Sequence, residues 1–512
     1  LADDSDHQLA WYRQAFLNQE RAPVKQKSAT RQMPGTASAW NRRDALKVLG
    51  AGTAALMLPR TVAAGGRDAD VIVIGAGLAG LQAAVLLQDE GLDVLVVEGN
   101  DRVGGRVWSL DKVPGQPEAG GAEIAPGYAR MHAMIARLGN IQLASWMQYQ
   151  SNRSFAIYDG DKLSTLDDWR KSPANRFSAA EQARIGPPGP FGVALSYLPQ
   201  PNPLPALDSW LDKESAALDV PLDQYLRGLG ASAEALRFAA SSVPADSMSV
   251  TSALALLRMM RVYDEMGPYD GLQIFSQGTS RVPEGMAALL KRGVRFRSKV
   301  TGLRTQRDGV EIALADGTTL RAGHAVCSVP LPVLRSLRID PALPPLQAEA
   351  VQRVPYDSAL SVFFAIKEPF WETDGLPPTT RGCDDFGRAS VRRSPRGEHI
   401  WFHKSGASAL PYKALPDAEL MRVATKELNK ARPSTIGRVE ASQVVNWNAI
   451  PWNRAHLHHR GPGDITKFGN IAAEAHGRIH FAGEHTSVTM MGMEGAMESG
   501  ERAAIEILLQ LG

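Results

Sequence analysis

The chain has 512 residues, with 56 Lys plus Arg against 54 Asp plus Glu, a net charge of +2, and 2 cysteines. That length can bury a large core and suggests two intertwined domains. The near-neutral charge gives no footing for a nucleic-acid partner or a polybasic membrane anchor, and Cys327 and Cys383 alone exclude a disulfide framework.

Residues 1–65 read as an N-terminal extension. Asn41-Arg42-Arg43-Asp44-Ala45-Leu46-Lys47 precedes an apolar run, VLGAGTAALMLP, which ends near TVAAGG. Paired arginines, a mild apolar stretch and small residues resemble a twin-arginine export signal. The run is too short and too rich in Gly and Ala to cross a bilayer, so no membrane span is expected. A periplasmic destination is expected. The alternative is a cytoplasmic protein whose extension packs on the body or on a second subunit of a homodimer.

Val71 to Ile74 make a short buried strand, followed by Gly75, Gly77 and Gly80 in G-x-G-x-x-G spacing. Leu81 to Glu90 continue as a helix, Gly91 ends it, and Val94 to Val97 form a second strand leading into Glu98. Gly75 makes the tight turn, Gly77 lets a diphosphate approach the backbone, and Gly80 lets helix and strand pack closely. The helix N-terminus offers unpaired N–H groups to that diphosphate. Glu98, 18 residues beyond Gly80, can accept from adenosine ribose hydroxyls and would repel a 2′-phosphate. Strand, glycines, helix, strand and acid in this order mark a Rossmann-type dinucleotide site.

Asp101-Arg102-Val103-Gly104-Gly105-Arg106 then supplies a second glycine pair before an arginine. It resembles the GGR continuation of flavoproteins in the amine oxidase superfamily, which implies that Gly104, Gly105 and Arg106 hold the FAD pyrophosphate and flavin together with Gly75, Gly77, Ala79 and Gly80. Glu118-Ala119-Gly120-Gly121-Ala122 resembles the strand and turn beneath the flavin in that superfamily. Gly121, Ala122 and Glu123 are therefore expected at the cofactor, and a helix begins near Ala129. Arg130 is a candidate for gripping a substrate carboxylate, the alternative being the structural role usual for an arginine at such a helix start.

Residues 140–275 lose this rhythm. Pro-rich loops at 186–192 and 198–205 separate helical patterns at Pro221 to Leu229, Ala231 to Ala240 and Thr251 to Met266. The chain then returns to the cofactor with a helix expected over Glu284 to Lys291. A strand follows over Val294 to Val300, with Val300 at the adenine, and then a hairpin turning at Asp316-Gly317. Ala325 to Pro330 reads as a buried strand with Cys327 in the core.

Val354 to Trp371, ending Lys367-Glu368-Pro369-Phe370-Trp371, resembles a monoamine oxidase strand that carries a lysine near the flavin. Here that position is Ser361, which is short and uncharged. Gln443 to Trp447 resembles the strand whose tryptophan lies against the flavin. Ile479 to Ser487 contains G-E-x-T, with Gly483 and Glu484 facing the cofactor, and Gly492-Met493-Glu494-Gly495-Ala496 starts a helix aimed at the flavin carbonyl. Over residues 66 to 512 the chain thus resembles the flavin-containing monoamine oxidase family.

The resemblance implies an α/β fold: a Rossmann-type FAD-binding domain of the GGR kind, with two dinucleotide-binding motifs, and an inserted α+β substrate domain. The expected FAD-binding parts are 66–139, 276–335 and 441–512, and the substrate-domain parts are 140–275 and 336–440. It implies oxidation of an amine: hydride passes from the α-carbon to flavin N5, and the imine hydrolyses to a carbonyl compound plus ammonia or an amine. The acceptor is oxygen, giving hydrogen peroxide, or another carrier. Ser361, Trp447 and Gly492 are the candidates for the reacting end, and Arg130, Trp452, His456 and Leu457 for substrate contact. The family's flavin-linking cysteine corresponds to His456, so the FAD is expected to be non-covalent. Leu457 and Gly492 stand where the family has two tyrosines, which predicts a bulky primary amine. An L-amino acid oxidase, or an amine dehydrogenase with a non-oxygen acceptor, is the alternative. An arginine facing the flavin is the discriminator for the amino acid. His456, His458 and His459 match no familiar metal spacing, and a solvated or substrate-lining loop is expected there.

Overall fold

A computed structural model describes residues 66–511 apart from 150–153, 187–191, 241, 242, 244, 384 and 455. The twin-arginine-like segment and its expected destination lie outside the described residues.

Two sheets organise the fold. The first runs, edge to edge, Val294–Arg295, Val94–Val97, Ala69–Ile74, Thr319–Cys327, Val310–Leu314, Val300–Thr305 and Arg338–Asp340, with Ile479–Phe481 also paired to Thr319–Cys327. Its parallel strands Ala69–Ile74 and Val94–Val97 are apolar, rich in β-branched residues and buried on both faces, as parallel strands between helices require. Register decides where a ligand can bind. Ile74 pairs with both Val97 and Cys327, and Cys327 pairs with Phe481, so four parallel strands end at one level. Their next residues, Gly75, Glu98, Ser328 and Ala482, open one crevice at the carboxyl edge, where such sheets bind ligands.

The expected strand over Val294 to Val300 is instead two, Val294–Arg295 and Val300–Thr305, because Arg297 turns at φ 54°. There the amides of Arg297 and Ser298 donate to the carbonyls of Asn100 and Glu98, which draws this edge over the Glu98 loop. The following-helix expectation shifts as well: the helix spans Arg281–Ala288, with Pro283 in its first turn, where a missing N–H costs nothing.

The second sheet is largely antiparallel, in the order Val439–Asn446, Ala359–Ile366, Gly397–Ser405, Arg388–Ser394, Thr379–Gly382, Phe155–Tyr158 and Leu163–Thr165. It draws strands from both sides of residue 336, and Val439–Asn446 lies in it rather than with the cofactor sheet. Alternation sorts its residues. Val362, Phe364, Ile400, Phe402 and Val444 pack against Leu420, Ala424 and Leu428 of the helix Asp417–Ala431. The opposite face, with Ser361, Arg388, Arg392, Trp401 and His403, turns toward the first sheet. Helices Leu222–Gly228, Ala233–Ala240 and Ala253–Glu265 close the side of the molecule around Trp210 and Phe238. Among the described residues no helix is long and apolar enough to cross a membrane.

Candidate active site

One cavity of about 440 Å³ runs from the carboxyl edge of the first sheet to the inner face of the second. Gly75, Gly77, Ala79, Glu98, Gly104, Gly105 and Arg106 line its near half, and Val300 stands at its far end with Ser298 and Lys299. Gly77 has open space where a Cβ would point, and a Cβ at Gly105 would meet only Gly77 Cα at 3.4 Å. The bare backbone there forms a cradle that fits a diphosphate. Glu98 is held by the amides of Ala76 at 2.7 Å and Asn100 at 2.8 Å, one on each carboxylate oxygen. Each oxygen keeps a lone pair for a ribose hydroxyl. The near half therefore fits the diphosphate and ribose of a dinucleotide cofactor.

Gly80 does not line the cavity. A Cβ there would lie 2.0 Å from the Gly75 carbonyl oxygen and 2.7 Å from Ser328 Oγ, so this glycine serves helix-to-strand packing.

The second glycine loop is tied down by side chains. Arg102 donates to the carbonyls of Val103, Gly105 and Val107 and lies 4.5 Å from the Trp108 ring centre. Arg106 donates to the His456 carbonyl and sits 3.7 Å from Glu484 Oε2, joining three distant segments. Burial alone would raise the Glu484 carboxyl, but His458, 2.8 Å away, and Arg106 hold it well below the usual range. Gly483 and Glu484 both line the cavity.

In the middle of the cavity Gly121, Ala122 and Glu123 meet Trp447, Gly492 and Met493. A Cβ at Gly120 would be 3.2 Å from Trp447 Cζ2, and one at Gly121 3.0 Å from Met493 Sδ. Tyr128, Met259 and Tyr263 add an apolar wall. Gly492 sits at φ 60°, and a Cβ there would find only the Tyr128 hydroxyl at 3.4 Å. This chain thus brings an aromatic ring to that place from the start of the Ala129–Leu138 helix.

Several expectations are corrected. Arg130 does not reach the cavity. Its Nε donates to Glu501 at 2.5 Å and its Nη1 to Glu494 at 3.3 Å. Glu494 also accepts from the amides of Arg130 and Met131, capping that helix N-terminus. Ser361 is buried behind the cavity wall, where it accepts from Trp401 Nε1 at 2.9 Å and meets His403 Nδ1 at 3.2 Å. Trp452 lines the cofactor half: its ring carbons come within 2.5 Å of a Cβ built on Gly99, beside Glu98. His458 and His459 are buried rather than solvated. His456 lines the cavity beside Leu457, with Nδ1 held by the buried Asp357 at 3.0 Å, and the Leu457 amide donates to the same carboxylate at 2.7 Å.

Sequence reasoning missed the roof. Arg388, Arg392, Trp401 and His403 of the second sheet line the cavity. Arg388 pairs in register with His403, and Ser390 with Trp401. Arg388 and Arg392 lie 4.2 and 4.3 Å from the Trp401 ring centre, and His403 stacks on that ring at 4.3 Å. Burial and the charge of Arg388 keep His403 neutral, and burial with Arg392 does the same for His399. Glu123 faces this roof, with Arg392 Nη1 3.5 Å from Oε1. Burial pushes its carboxyl up to about 7 against the opposing pull of Arg388. The alternation R-x-S-x-R over 388–392 beside W-x-H over 401–403 was a legible sign of one strand face, but not of what that face covered.

Comparison with known proteins agrees with this geometry. The flavin containing amine oxidoreductase family matches residues 78–508. The L-amino-acid oxidase of Siganus canaliculatus is 26% identical over 455 residues, covering 83% of each chain. Amine oxidase B of Homo sapiens is 25% identical over 475 residues, covering 84% of each. In three dimensions the chain resembles the cyclohexylamine oxidase of Brevibacterium oxydans, with TM-score 0.70, 23% identity and coverage of 87% of this chain and 99% of that one.

Proposed function

Since the chain belongs to the flavin-containing amine oxidoreductase family and is an oxidoreductase, we propose that it is an FAD-dependent oxidase acting on the C–N bond of a bulky primary amine, with the FAD held non-covalently. The observation that carries this reading is the single cavity in which the dinucleotide cradle opens onto the chamber between Tyr128, Tyr263, Trp447 and Trp401. FAD, when bound, supplies the acceptor for the two electrons and the hydrogen that leave the amine α-carbon; the resulting imine hydrolyses to a carbonyl compound and ammonia.

The chain's own residues position the amine and keep it neutral. Apolar walls and the nearby Arg388 and Arg392 guanidiniums disfavour an ammonium ion, so the nitrogen lone pair stays available. The absence of a side chain at Gly492 leaves the space up to the Tyr128 hydroxyl for the substrate. Non-covalent attachment is supported by the cysteines: Cys327 is in the first-sheet core with its thiol pushed up to about 12 by burial, and Cys383 is buried in a separate core. The one histidine at the corresponding loop position is engaged by Asp357 through Nδ1.

The acceptor after turnover is oxygen, slowly, or another carrier. Among the described cavity-lining residues the only lysine is Lys299, at the adenine end. Lys404, next to His403, points to the other face of the sheet and pairs with Glu427 at 2.9 Å. A panel of amines scored by anaerobic bleaching of the flavin tests the reaction, and failure of every amine and amino acid to bleach it would overturn the reading. Acid precipitation that leaves flavin on the protein would overturn non-covalent binding. Stopped-flow mixing of reduced enzyme with oxygen tests the acceptor, and a rate typical of efficient oxidases would remove that part.

A further inference from the structure

A fully buried carboxylate in the cavity wall, Asp357, is paired with an imidazole that faces the cavity. Asp357 is held from both sides. Its own amide donates to the Leu457 carbonyl at 2.9 Å, the Leu457 amide donates back to Oδ1 at 2.7 Å, and Asn448 Nδ2 donates to its carbonyl at 3.3 Å. His456 Nδ1 lies 3.1 and 3.0 Å from Oδ1 and Oδ2. A carboxylate accepts and has no hydrogen to give, so Nδ1 carries the ring hydrogen and Nε2 is left with a lone pair. Among the described residues Nε2 has no hydrogen-bond partner, and the His456 side chain, 24% exposed, lines the cavity.

His456 stands where the two halves of the cavity meet. Its carbonyl accepts from Arg106 of the second glycine loop, and its ring centre is 6.1 Å from that of His403 in the roof. An amine arriving there needs a proton acceptor. At neutral pH fewer than roughly one alkylamine in a thousand is free of its extra proton, and an ammonium has no lone pair to drive out a hydride. Apolar walls and guanidiniums disfavour the ammonium, but they give its proton nowhere to go. Glu123 also lines the cavity, yet it is buried with Arg392 Nη1 3.5 Å from its Oε1.

We propose that His456, held by Asp357, is the catalytic base that takes the proton from the substrate ammonium. This rests on the amine-oxidation reading and adds a step ahead of it. The ammonium N–H bond breaks, its electron pair stays on the nitrogen, and the proton bonds to Nε2; nothing is oxidised or reduced in this step. The imidazolium so formed faces a buried carboxylate, which favours it. Asp357 is a positioning residue, since it fixes the tautomer and the ring. The other charged or titratable groups around the ring are His403, Arg388 and Arg392 on the roof, Arg106 and Glu484 on the cofactor side, and Arg454, His458 and His459 on its own loop.

The test uses the flavin-loaded enzyme and anaerobic flavin reduction by hexylamine, or the best amine of the panel, and by its 2,2-difluoro analogue. The fluorines make the ammonium far more acidic, so much of the analogue arrives neutral. His456→Gln should lower kcat/KM at pH 7 by roughly 100-fold or more for the plain amine and by about tenfold or less for the analogue. In the same variant the acidic limb of the kcat/KM profile should move to higher pH. Asp357→Asn should give an intermediate loss at constant flavin content. Equal losses for the two amines, or a limb that moves in Glu123→Gln and not in His456→Gln, would overturn the proposal. If no amine bleaches the wild-type flavin, the amine-oxidation reading fails separately. The pair is then read from nitrogen-15 spectra of the histidine-labelled holoenzyme, with the His456 signals identified by their loss in His456→Gln. Hydrogen on Nδ1 that depends on Asp357 supports the base, and hydrogen on Nε2 alone overturns it.

Discussion

The two halves of the cavity recognise their ligands by different means. The cofactor half is largely backbone: glycines, strand ends and helix N-termini from segments beginning at Ala69, Thr319 and Ile479, brought level by the register of parallel strands in one sheet. The roof half is side chains: two arginines, a tryptophan and a histidine projecting from two antiparallel strands. A backbone cradle tolerates few changes and leaves a spaced glycine pattern in the chain. A side-chain roof is free to vary on a constant scaffold without altering how the chain folds.

That contrast can be broken most sharply at Gly80. Gly80→Val would place a Cβ 2.0 Å from the Gly75 carbonyl. The helix must leave the strand, with a cost on the order of 3 kcal/mol and loss of bound flavin. Flavin-to-protein absorbance and urea denaturation measure both, and a variant that retains full flavin would show that the cradle is looser than described. Glu494 comes next. Glu494→Ala removes the carboxylate that the Arg130 and Met131 amides donate to, at 2.9 and 3.1 Å. Stability should fall by about 2 kcal/mol, with roof specificity kept. A change in which amines reduce the flavin would mean that the halves are coupled through the Ala129–Leu138 helix.

A third measurement titrates the roof. Glu123, with its carboxyl raised to about 7, faces Arg388 and Arg392 on the roof, Glu118 on its own segment and Tyr128 at the helix start. Below about pH 7 it is neutral, and above that its negative charge adds to the chamber and opposes an incoming anion. A carboxylate inhibitor without an amine, such as benzoate, should therefore bind more tightly at pH 6 than at pH 8, by roughly tenfold or less. Glu123→Gln should flatten the profile, and a flat wild-type profile would remove Glu123 from the roof's charge balance. The same shift has a folding consequence. A carboxyl raised from 4.5 to about 7 in the folded state loses stabilising influence as pH rises through that window, so its contribution to stability declines from pH 4.5 to 7.

The smallest effect is expected at Ser361. Ser361→Ala leaves Trp401 Nε1 and His403 Nδ1 without their shared partner, at about 1 kcal/mol. It should shift tryptophan fluorescence while flavin content stays constant. Loss of flavin would contradict its place behind the wall.

The order of strand, Gly75-x-Gly77, helix, strand and Glu98 identified the dinucleotide half from the chain alone, because a turn tight enough to admit a phosphate leaves no room for side chains at those positions. The GGR loop, the G-E-x-T strand end and the Gly492 helix start were legible through their resemblance to motifs of the amine oxidase superfamily. Which of its two roles Arg130 plays was not legible, because a residue's number does not reveal its neighbours. Glu494 and Glu501 lie more than 360 positions away and still claim it. Ser361 was placed on the correct strand but on the wrong layer, since a gap-free alignment carries no information about which ring stands in front. Trp452 proved to pack on Gly99, a contact across two loops with no periodicity to betray it. Local backbone conformation is encoded by a few adjacent residues, and so the sequence by itself determined the fold class and the cofactor cradle. The roof of Arg388, Arg392, Trp401 and His403 depends on strand register and on one sheet facing another, and only the tertiary structure decided it.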